Sequence, residues 1–400
     1  MELINLIAVS RKKKNGFPDL LIVLDFGGSL TKVVYMGSDK QPKSLCMEPE
    51  VLELPKASLL IYEDQKMGMD GSLPSDRAWV GSDERFYVVG YLAREQFNGN
   101  AGLSQLKVER AVPKALAAVW AASVDLQLGN EFSAAVGVLL PPGEFENALR
   151  LRASIEKGLK AFETPNGTLN VTLAHWDCKP EGGGVYLMHT RNRDSALLKH
   201  KSIAIVMVGF RNASILLSQR GAVTKRVTSD LGFIKLLEKV MKKTSGLNVN
   251  QLAEVISRAG EPPDFKALIP VLRSTDELHR KNDLLRLKGA IMSSRQEYAL
   301  SLTSWFREVL PQRLDEVVLC GGTSDYLQRE LSDYFKGTTI AWHGVELPNG
   351  LSSSLPGNRM CDAFGLYEYL RNAIWLEVSQ SVRTRTSKST SSKAEVARGA

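Results

Sequence analysis

The stretch that decides the fold is Leu21–Tyr35, LIVLDFGGSLTKVVY. Its apolar run Leu21–Leu24 has the length and composition of a buried strand, and it leads through a glycine-containing turn into a second β-rich run. The pattern predicts a β-hairpin, and the paired glycines let the backbone approach a ligand with N–H groups directed at phosphate oxygens. Asp25 can hold a hydrated divalent cation, and Lys32 can neutralise phosphate charge. A plain hairpin with a surface Asp and Lys is the alternative that this stretch alone leaves open.

A second segment, Ile203–Gly221, repeats the layout as IAIVMVGFRNASILLSQRG. When the two segments are aligned, Met207 takes the place of Asp25 and Gly209 takes the place of Gly27. Each copy opens a long α/β segment. An internal repeat of this kind predicts two similar lobes that face each other across a cleft.

The chain of 400 residues is too long for one simple core and fits two lobes of ordinary size. Residues 356–375 form a helical pattern that we expect to return to the first lobe. The Ser, Thr, Arg and Lys residues that follow cannot bury a core. We predict a flexible basic leader at 1–18, lobe I at 19–200 with helix 356–375, lobe II at 201–355, and a disordered basic tail at 376–400.

The formal net charge of +7 is concentrated at the two ends of the chain. Residues 1–20 carry a net +2 and residues 381–400 a net +4, so the body carries only about +1. The predicted lobes are therefore not an obvious nucleic-acid surface. The four cysteines show no ligand or disulfide spacing, and no apolar run approaches membrane-spanning length. We expect a soluble cytoplasmic protein with no membrane partner.

Glu144 follows the predicted buried strand Ala134–Leu140 and the turn Pro141-Pro142-Gly143. The carboxyl end of a parallel strand is where α/β sheets place chemistry, so Glu144 is a candidate for orienting or deprotonating a water. The alternative is an acid at a helix N-terminus that the helix dipole favours.

A third glycine-containing turn follows the predicted strand Glu316–Cys320. Gly321 and Gly322 lead through Thr323 into a predicted helix. A strand, paired glycines and a helix N-terminus together can accommodate the sugar and base of a nucleotide, or an anion.

These motifs carry a resemblance to a known superfamily. DFGGSLTK, at 25–32, is similar to the DxGxxxxK first phosphate motif of the actin, Hsp70 and sugar kinase superfamily. The hairpin at Gly209 resembles its second phosphate motif, and VLCGG, at 318–322, resembles its adenosine motif. The resemblance covers about residues 19–375. It implies an α/β actin/Hsp70/sugar-kinase fold, ribonuclease H-like and duplicated, with two lobes around a nucleotide cleft.

Within that superfamily the chain resembles the plasmid-segregation actins of the ParM/StbA type. The features that carry this resemblance are YVVGYLA at 87–93, the LAA core of the helical stretch that begins at Lys107, and LPPGEF at 140–145. The resemblance implies a filament that forms with ATP or GTP and Mg²⁺, with the chain itself as partner and a DNA-binding adaptor as a further partner.

The resemblance also implies site residues. Lys32 and the backbone of the first hairpin would hold the β- and γ-phosphates, Asp25 would organise Mg²⁺ through water, and Glu144 would position the attacking water. The predicted nucleotide-binding residues are Asp25, Gly27, Gly28, Ser29, Leu30, Thr31, Lys32, Gly209, Phe210, Arg211, Asn212, Asp230, Gly232, Gly321, Gly322 and Thr323.

The second phosphate motif departs from the family pattern. It normally begins with Asp, which is Met207 here, and Asn212 and Ser214 stand where Thr and Asp are common. A lost charge-assisted contact of this kind is worth on the order of 1.5 to 3 kcal/mol, so we predict an ATPase that binds nucleotide but hydrolyses it slowly. Three classes remain open: a filament that moves or positions DNA, a nucleotide-bound scaffold without hydrolysis, and a small-molecule kinase of the same fold.

Overall fold

The computed structural model describes residues 16–65, 72–244, 247–352 and 356–396, with side chains described up to residue 380. The predicted basic leader, residues 1–18, lies outside the described residues except for its last three.

The first sheet has nine strands, and the alternating and continuous apolar runs of the first 180 residues form them. They are β1 (Leu20–Phe26), β2 (Thr31–Met36), β3 (Lys43–Met47), β4 (Val51–Leu54), β5 (Trp79–Ser82), β6 (Arg85–Val89), β7 (Glu131–Leu140), β8 (Phe162–Thr164) and β9 (Gly167–Pro180). Their order in the sheet is β3-β2-β1-β7-β9-β8-β5-β6-β4. β1 pairs antiparallel with β2 and parallel with β7, and β7 pairs parallel with β9.

The second sheet has five strands and repeats the topology of the first. They are β10 (Ser202–Val208), β11 (Ala213–Gln219), β12 (Ala222–Ser229), β13 (Glu316–Cys320) and β14 (Thr339–Trp342), in the order β12-β11-β10-β13-β14. β10 pairs antiparallel with β11 and parallel with β13, as β1 pairs with β2 and β7. The predicted internal repeat and the duplicated α/β fold are therefore confirmed.

Fourteen helices are described. They are α1 (Lys56–Asp64), α2 (Tyr91–Phe97), α3 (Ala111–Asp125), α4 (Ala148–Lys160), α5 (Gly183–Thr190), α6 (Ser195–Leu198), α7 (Phe233–Lys243), α8 (Val249–Ala259), α9 (Phe265–Leu268), α10 (Glu277–Val309), α11 (Gly322–Tyr326), α12 (Gln328–Tyr334), α13 (Asn349–Ser352) and α14 (Cys361–Val396). Short 3₁₀ turns lie at Pro74–Arg77, Lys107–Arg110, Pro142–Asn147, Ile269–Val271 and Gly357–Met360. No helix among the described residues is long and apolar enough to cross a membrane.

The first sheet is covered on both faces. The alanine-rich α3 packs on one face, where Trp120 is fully buried, and α14 packs on the other, where Leu366 and Leu370 meet Val23 of β1. A Cβ on Gly137 of β7 would lie 2.9 Å from Val23, so a glycine lets α14 sit close to the sheet. Each fully buried leucine of this kind contributes about 1.5 to 3 kcal/mol, which holds the C-terminal helix against the first sheet.

The second sheet is covered by the long helix α10 and by α7. Tyr298 and Phe306 of α10 and Leu236 of α7 are fully buried in this core. The Tyr298 hydroxyl donates to the carbonyl of Leu231 at 2.8 Å, which ties α10 to the segment that precedes α7.

The last helix is longer than the sequence predicted. α14 continues to Val396, whereas we predicted a helix that ends at residue 375 and a disordered tail from 376. Residues 376–396 contain neither Gly nor Pro, so no residue in that segment ends the helix.

Candidate functional site

The first hairpin places an acid and a base opposite each other. Asp25 at the end of β1 is directly paired with Lys32 of β2, and their side chains form an ion pair. Burial would raise the pKa of Asp25, but Lys32, followed by Lys107 and Arg359, holds it below its ordinary value. Asp25 is therefore an ionised carboxylate at the hairpin.

The turn of this hairpin requires its glycine. A Cβ on Gly27 would lie 2.4 Å from the carbonyl oxygen of Leu30, so no larger residue fits the turn. A Cβ on Gly28 would lie 3.0 Å from the Cβ of Arg211 in the second hairpin. The two hairpin turns, one from each sheet, thus approach each other closely across the cleft.

The second hairpin and the third turn support each other. The Gly209 N–H donates to the Asn212 carbonyl at 2.9 Å, and the Gly209 carbonyl accepts from the Thr323 hydroxyl at 2.8 Å. Gly321 has a φ of 94° and a Cβ there would lie 2.4 Å from the carbonyl oxygen of Val208. The Gly321–Gly322 turn therefore packs directly on the end of β10.

These three turns line one cavity of about 1120 Å³. The volume slightly exceeds the range that is usual for small-molecule sites. The predicted residues that line it are Asp25, Gly27, Gly28, Ser29, Leu30, Lys32, Gly209, Phe210, Arg211, Asn212, Gly321, Gly322 and Thr323. Residues almost 300 positions apart in sequence are thus brought to a single site.

Four predicted residues do not line the cavity. Thr31 is fully buried within β2, and the Asp230 side chain is 79% exposed and pairs with Lys235. Gly232 supports the second hairpin, because a Cβ there would lie 2.2 Å from the backbone carbon of Arg211. The fourth, Glu144, lies behind that hairpin.

Glu144 is held by two neighbours. Its Oε2 accepts from the backbone N–H of Val108 at 3.1 Å, and its Oε1 lies 3.6 Å from the guanidinium of Arg211. Burial raises the pKa of Glu144, and these neighbours oppose that shift. Glu144 does not line the cavity, whereas its neighbour Arg211 does, and the role of Glu144 with a water stays a prediction.

Glu181 is a cleft carboxylate that the sequence motifs did not indicate. It directly follows β9, lines the cavity, and forms a buried ion pair with Lys107. Its Oε2 also accepts from the Ser214 hydroxyl at 3.1 Å, and Ser214 is the register partner of Met207. A carboxylate from the first sheet therefore lies beside the strand position where Met207 replaces the expected Asp. Its signal in the sequence was a Glu-Gly-Gly-Gly run at the end of a strand.

Asp362 is a second carboxylate that the motifs did not indicate, at the start of α14. It is 2% exposed and accepts from the backbone N–H groups of Gly182 at 2.7 Å and Val185 at 3.0 Å. Burial raises the pKa of Asp362 to about 7, although both N–H groups favour the ionised form. This contact ties α14 to the N-terminal end of α5.

The donor set suits a hydrated divalent cation better than a directly bound one. Among the described residues, no three His, Cys, Asp or Glu side chains are grouped to hold a metal. Asp25 and Glu181 each line the cleft but are paired with a lysine. Because Mg²⁺ commonly keeps several waters and binds one or two carboxylates together with phosphates, these two residues fit a water-mediated site.

The strand order, the two facing hairpins and the cavity between them define an actin-like fold. Many solved structures are similar to it. A ParM filament of 15 strands from Clostridium botulinum has a TM-score of 0.58 at 16% identity, covering 89% of this chain and 100% of that one. The actin-like protein Alp7A has a TM-score of 0.62 at 16% identity, covering 93% and 99%. An archaeal actin homologue in complex with ADP has a TM-score of 0.54 at 15% identity, covering 87% and 98%.

These likenesses confirm the predicted resemblance to the actin-like ATPases at the level of the fold. No family model matches the chain, and no curated protein matches it.

Proposed function

We propose that this protein binds a nucleoside triphosphate, ATP or GTP, with Mg²⁺ in the cleft, and that it polymerises into filaments in that state. The observation that carries the proposal is the convergence of three glycine-containing turns on one cavity of about 1120 Å³. Two of these turns are hairpins related by the internal repeat, and their N–H groups suit the two sides of a phosphate chain. A kinase would share this cleft, but the described residues offer no further feature that favours one.

In this proposal each turn has one task. The first hairpin and Lys32 bind the terminal phosphates, the Gly209–Asn212 turn closes over them, and the Gly321–Gly322 turn holds the nucleoside. Asp25 and Glu181 orient the waters of Mg²⁺, which neutralises phosphate charge when it is bound. The archaeal homologue in complex with ADP supports a nucleotide in this fold.

Two carboxylates are candidates for positioning the attacking water. Glu181 lines the cavity directly, and its ion pair with Lys107 fixes its orientation. Glu144, which the family resemblance favours, has a pKa raised by burial, as suits a general base. We propose Glu181 as the residue that contacts the water and Glu144 as a residue that acts through Arg211. Because Met207 leaves the second hairpin without its carboxylate, we expect slow hydrolysis.

Filament formation requires a surface for a second copy of the chain. Leu278, Leu285 and Met292 follow each other at intervals of seven on α10 and are 67%, 54% and 47% exposed. At two helical turns per interval they form one apolar row on the outer face of the helix. Exposed Gly289 lies in the same row, and no atom lies within 4 Å of where its Cβ would be, so a partner can approach closely. We propose that this α10 row contacts a neighbouring subunit.

The proposed role is the movement or positioning of plasmid or other DNA in the cytoplasm, through a DNA-binding adaptor. The ParM filament with this fold supports the filament, and the near-neutral body of the chain argues for an adaptor over direct DNA contact. A static nucleotide-bound scaffold is the second candidate, because Met207 removes a carboxylate that hydrolysis would use.

One experiment separates these functions. The protein is sedimented with Mg²⁺ and ATP, GTP or a slowly hydrolysed analogue, and phosphate release is followed in the same samples. Pelleting with phosphate release supports the segregation filament, and pelleting without release supports the scaffold. Lys32→Met should abolish the nucleotide response, whereas Lys43→Met, which removes an exposed lysine of the adjacent strand, should leave it intact. A wild-type chain that binds nucleotide but never pellets would overturn the filament.

A further inference from the structure

We infer that Arg359 is a phosphate-binding residue of the cleft, contributed by the C-terminal segment, and that it neutralises the phosphate chain of the nucleotide alongside Lys32. This inference rests on the proposed nucleotide binding and adds a residue that neither the repeat nor the motifs indicated. Arg359 lies in the 3₁₀ turn Gly357–Met360, immediately before α14.

Arg359 spans two of the three turns that line the cavity. Its Nη2 donates to the Ser29 hydroxyl of the first hairpin at 2.6 Å, and its carbonyl accepts from Lys32 Nζ at 3.2 Å. The Cδ of Arg359 lies 3.1 Å from where a Cβ of Gly322 would be, so the aliphatic part of the arginine packs against the Gly321–Gly322 turn. The guanidinium is therefore placed between the residues proposed for phosphate and those proposed for the nucleoside.

Arg359 has no direct ion pair with a carboxylate among the described residues. Within the described part of the chain it forms no salt bridge, and the Ser29 hydroxyl is the one acceptor that its guanidinium contacts. Burial lowers the pKa of Arg359, and the more distant Cys46, Asp25 and Asp325 only partly offset this effect. A partly buried guanidinium without a direct ion pair is unfavourable, and an anionic ligand in the cavity that it lines would supply one.

The chemistry of the side chain selects phosphate as that ligand. A guanidinium carries five N–H donors in a planar fork, which matches two oxygens of a phosphate, and only one donor is engaged with Ser29. Met207, which also lines the cleft, is uncharged. The cleft has thus lost the acid that the family pattern places there and holds Arg359 beside Lys32, which favours a polyanionic ligand.

The test compares ATP with adenosine by isothermal titration calorimetry. Arg359→Met keeps the length of the aliphatic stem and removes the charge, and Arg359→Lys keeps the charge but removes the fork. Arg371→Met is the matched control, since Arg371 lies on α14 and pairs with Glu368. We expect Arg359→Met to weaken ATP binding by about 10- to 100-fold, with Arg359→Lys intermediate, and adenosine binding to change less than about twofold.

The unliganded variants separate ligand binding from a structural role. Because Arg359→Met removes a partly buried charge that has no direct ion pair, the melting temperature of the free protein should stay constant or rise. A lower melting temperature with unchanged ATP affinity, or an equal loss for ATP and adenosine, would show that Arg359 is a structural link between the turns and overturn the inference. If the wild-type chain binds neither ATP nor GTP, the proposed function itself fails. If it binds ATP and Arg359→Met binds equally well, only the role of Arg359 fails.

Discussion

The ion pair between Lys107 and Glu181 offers a sharp test of how the cleft is held together. The two side chains are 9% and 7% exposed. Lys107→Met would leave a buried carboxylate with the Ser214 hydroxyl as its remaining side-chain partner, and Glu181→Gln would leave a buried ammonium. Breaking a buried pair in this way costs about 3 to 5 kcal/mol.

The double variant Lys107→Met/Glu181→Gln should recover most of that loss. Replacing both charges leaves no isolated ion, and such replacements are often close to neutral. We therefore expect a double variant within about 2 kcal/mol of the wild type, and an interaction free energy of about 3 kcal/mol or more between the two substitutions.

The pH dependence of folding stability gives a second test of the same pair. In the wild type, burial would lower the pKa of Lys107, but Glu181 and Asp25 hold it above its ordinary value. The stability that this shift contributes is fully present near neutral pH and is lost only as pH rises through that raised pKa. In Glu181→Gln the main opposing charge is gone and burial lowers the pKa of Lys107. The folded chain then releases this proton at a lower pH than the unfolded chain, so stability should rise as pH approaches the ordinary lysine pKa.

The assay is urea unfolding followed by tryptophan fluorescence, because Trp120 is fully buried in the same lobe as Lys107. Lys43→Met is the control: its pair with Asp125 has side chains 39% and 43% exposed, and its removal should cost less than about 1 kcal/mol. If the losses from the two single substitutions simply add in the double variant, the two charges do not depend on each other and the reasoning is wrong.

Gly184→Ala should destabilise the protein by about 3 kcal/mol in thermal or urea unfolding, because its Cβ would lie 2.0 Å from the Asp362 carbonyl oxygen. Gly289→Ala, on the exposed face of α10, is the control and should stabilise the protein by up to about 1 kcal/mol. Equal effects of the two substitutions would contradict the packing argument. Because burial raises the pKa of Asp362 to about 7, the folded chain binds more protons than the unfolded chain between about pH 4 and 7. Wild-type stability should therefore fall as pH rises through this range, and the stability of Asp362→Asn should depend less on pH. Parallel pH dependences of the two proteins would exclude Asp362 as the cause. Leu285→Lys should prevent nucleotide-dependent pelleting without lowering the melting temperature. The control Leu149→Lys, at a residue of α4 that is 79% exposed, should pellet normally. If Leu285→Lys pellets like the wild type, the α10 row is not the filament contact.

Restoring the missing acid tests the predicted slow hydrolysis. Met207→Asp should raise the rate of phosphate release by about 10-fold or more if the lost contact is worth the expected value of about 1.5 to 3 kcal/mol. Glu181→Gln in the same background should remove that activity. A turnover rate of Met207→Asp equal to that of the wild type would count against any role for the absent carboxylate.

The sequence alone was sufficient for the fold and for the three glycine-containing turns that line the cavity. The strand, paired glycines and strand of Leu21–Tyr35 are local in sequence, and their repetition at Ile203–Gly221 indicated the duplicated lobes. Hairpin turns depend on residues a few positions apart, so a pattern of apolar runs and glycines predicts them well. The same reasoning was wrong about the end of the last helix, because a polar composition does not by itself stop a helix that is already formed.

Only the tertiary structure showed which charges meet in the cleft. Lys107 and Glu181 are 74 residues apart, and Arg359 and Ser29 are 330 apart, so neither pair leaves a local pattern. The structure also places Glu144 behind Arg211, although its position after a buried strand suggested direct contact with the cleft. The end of a strand determines on which edge of the sheet a side chain lies, but its distance to a ligand depends on how the connecting segments pack, and that packing is decided by the whole chain.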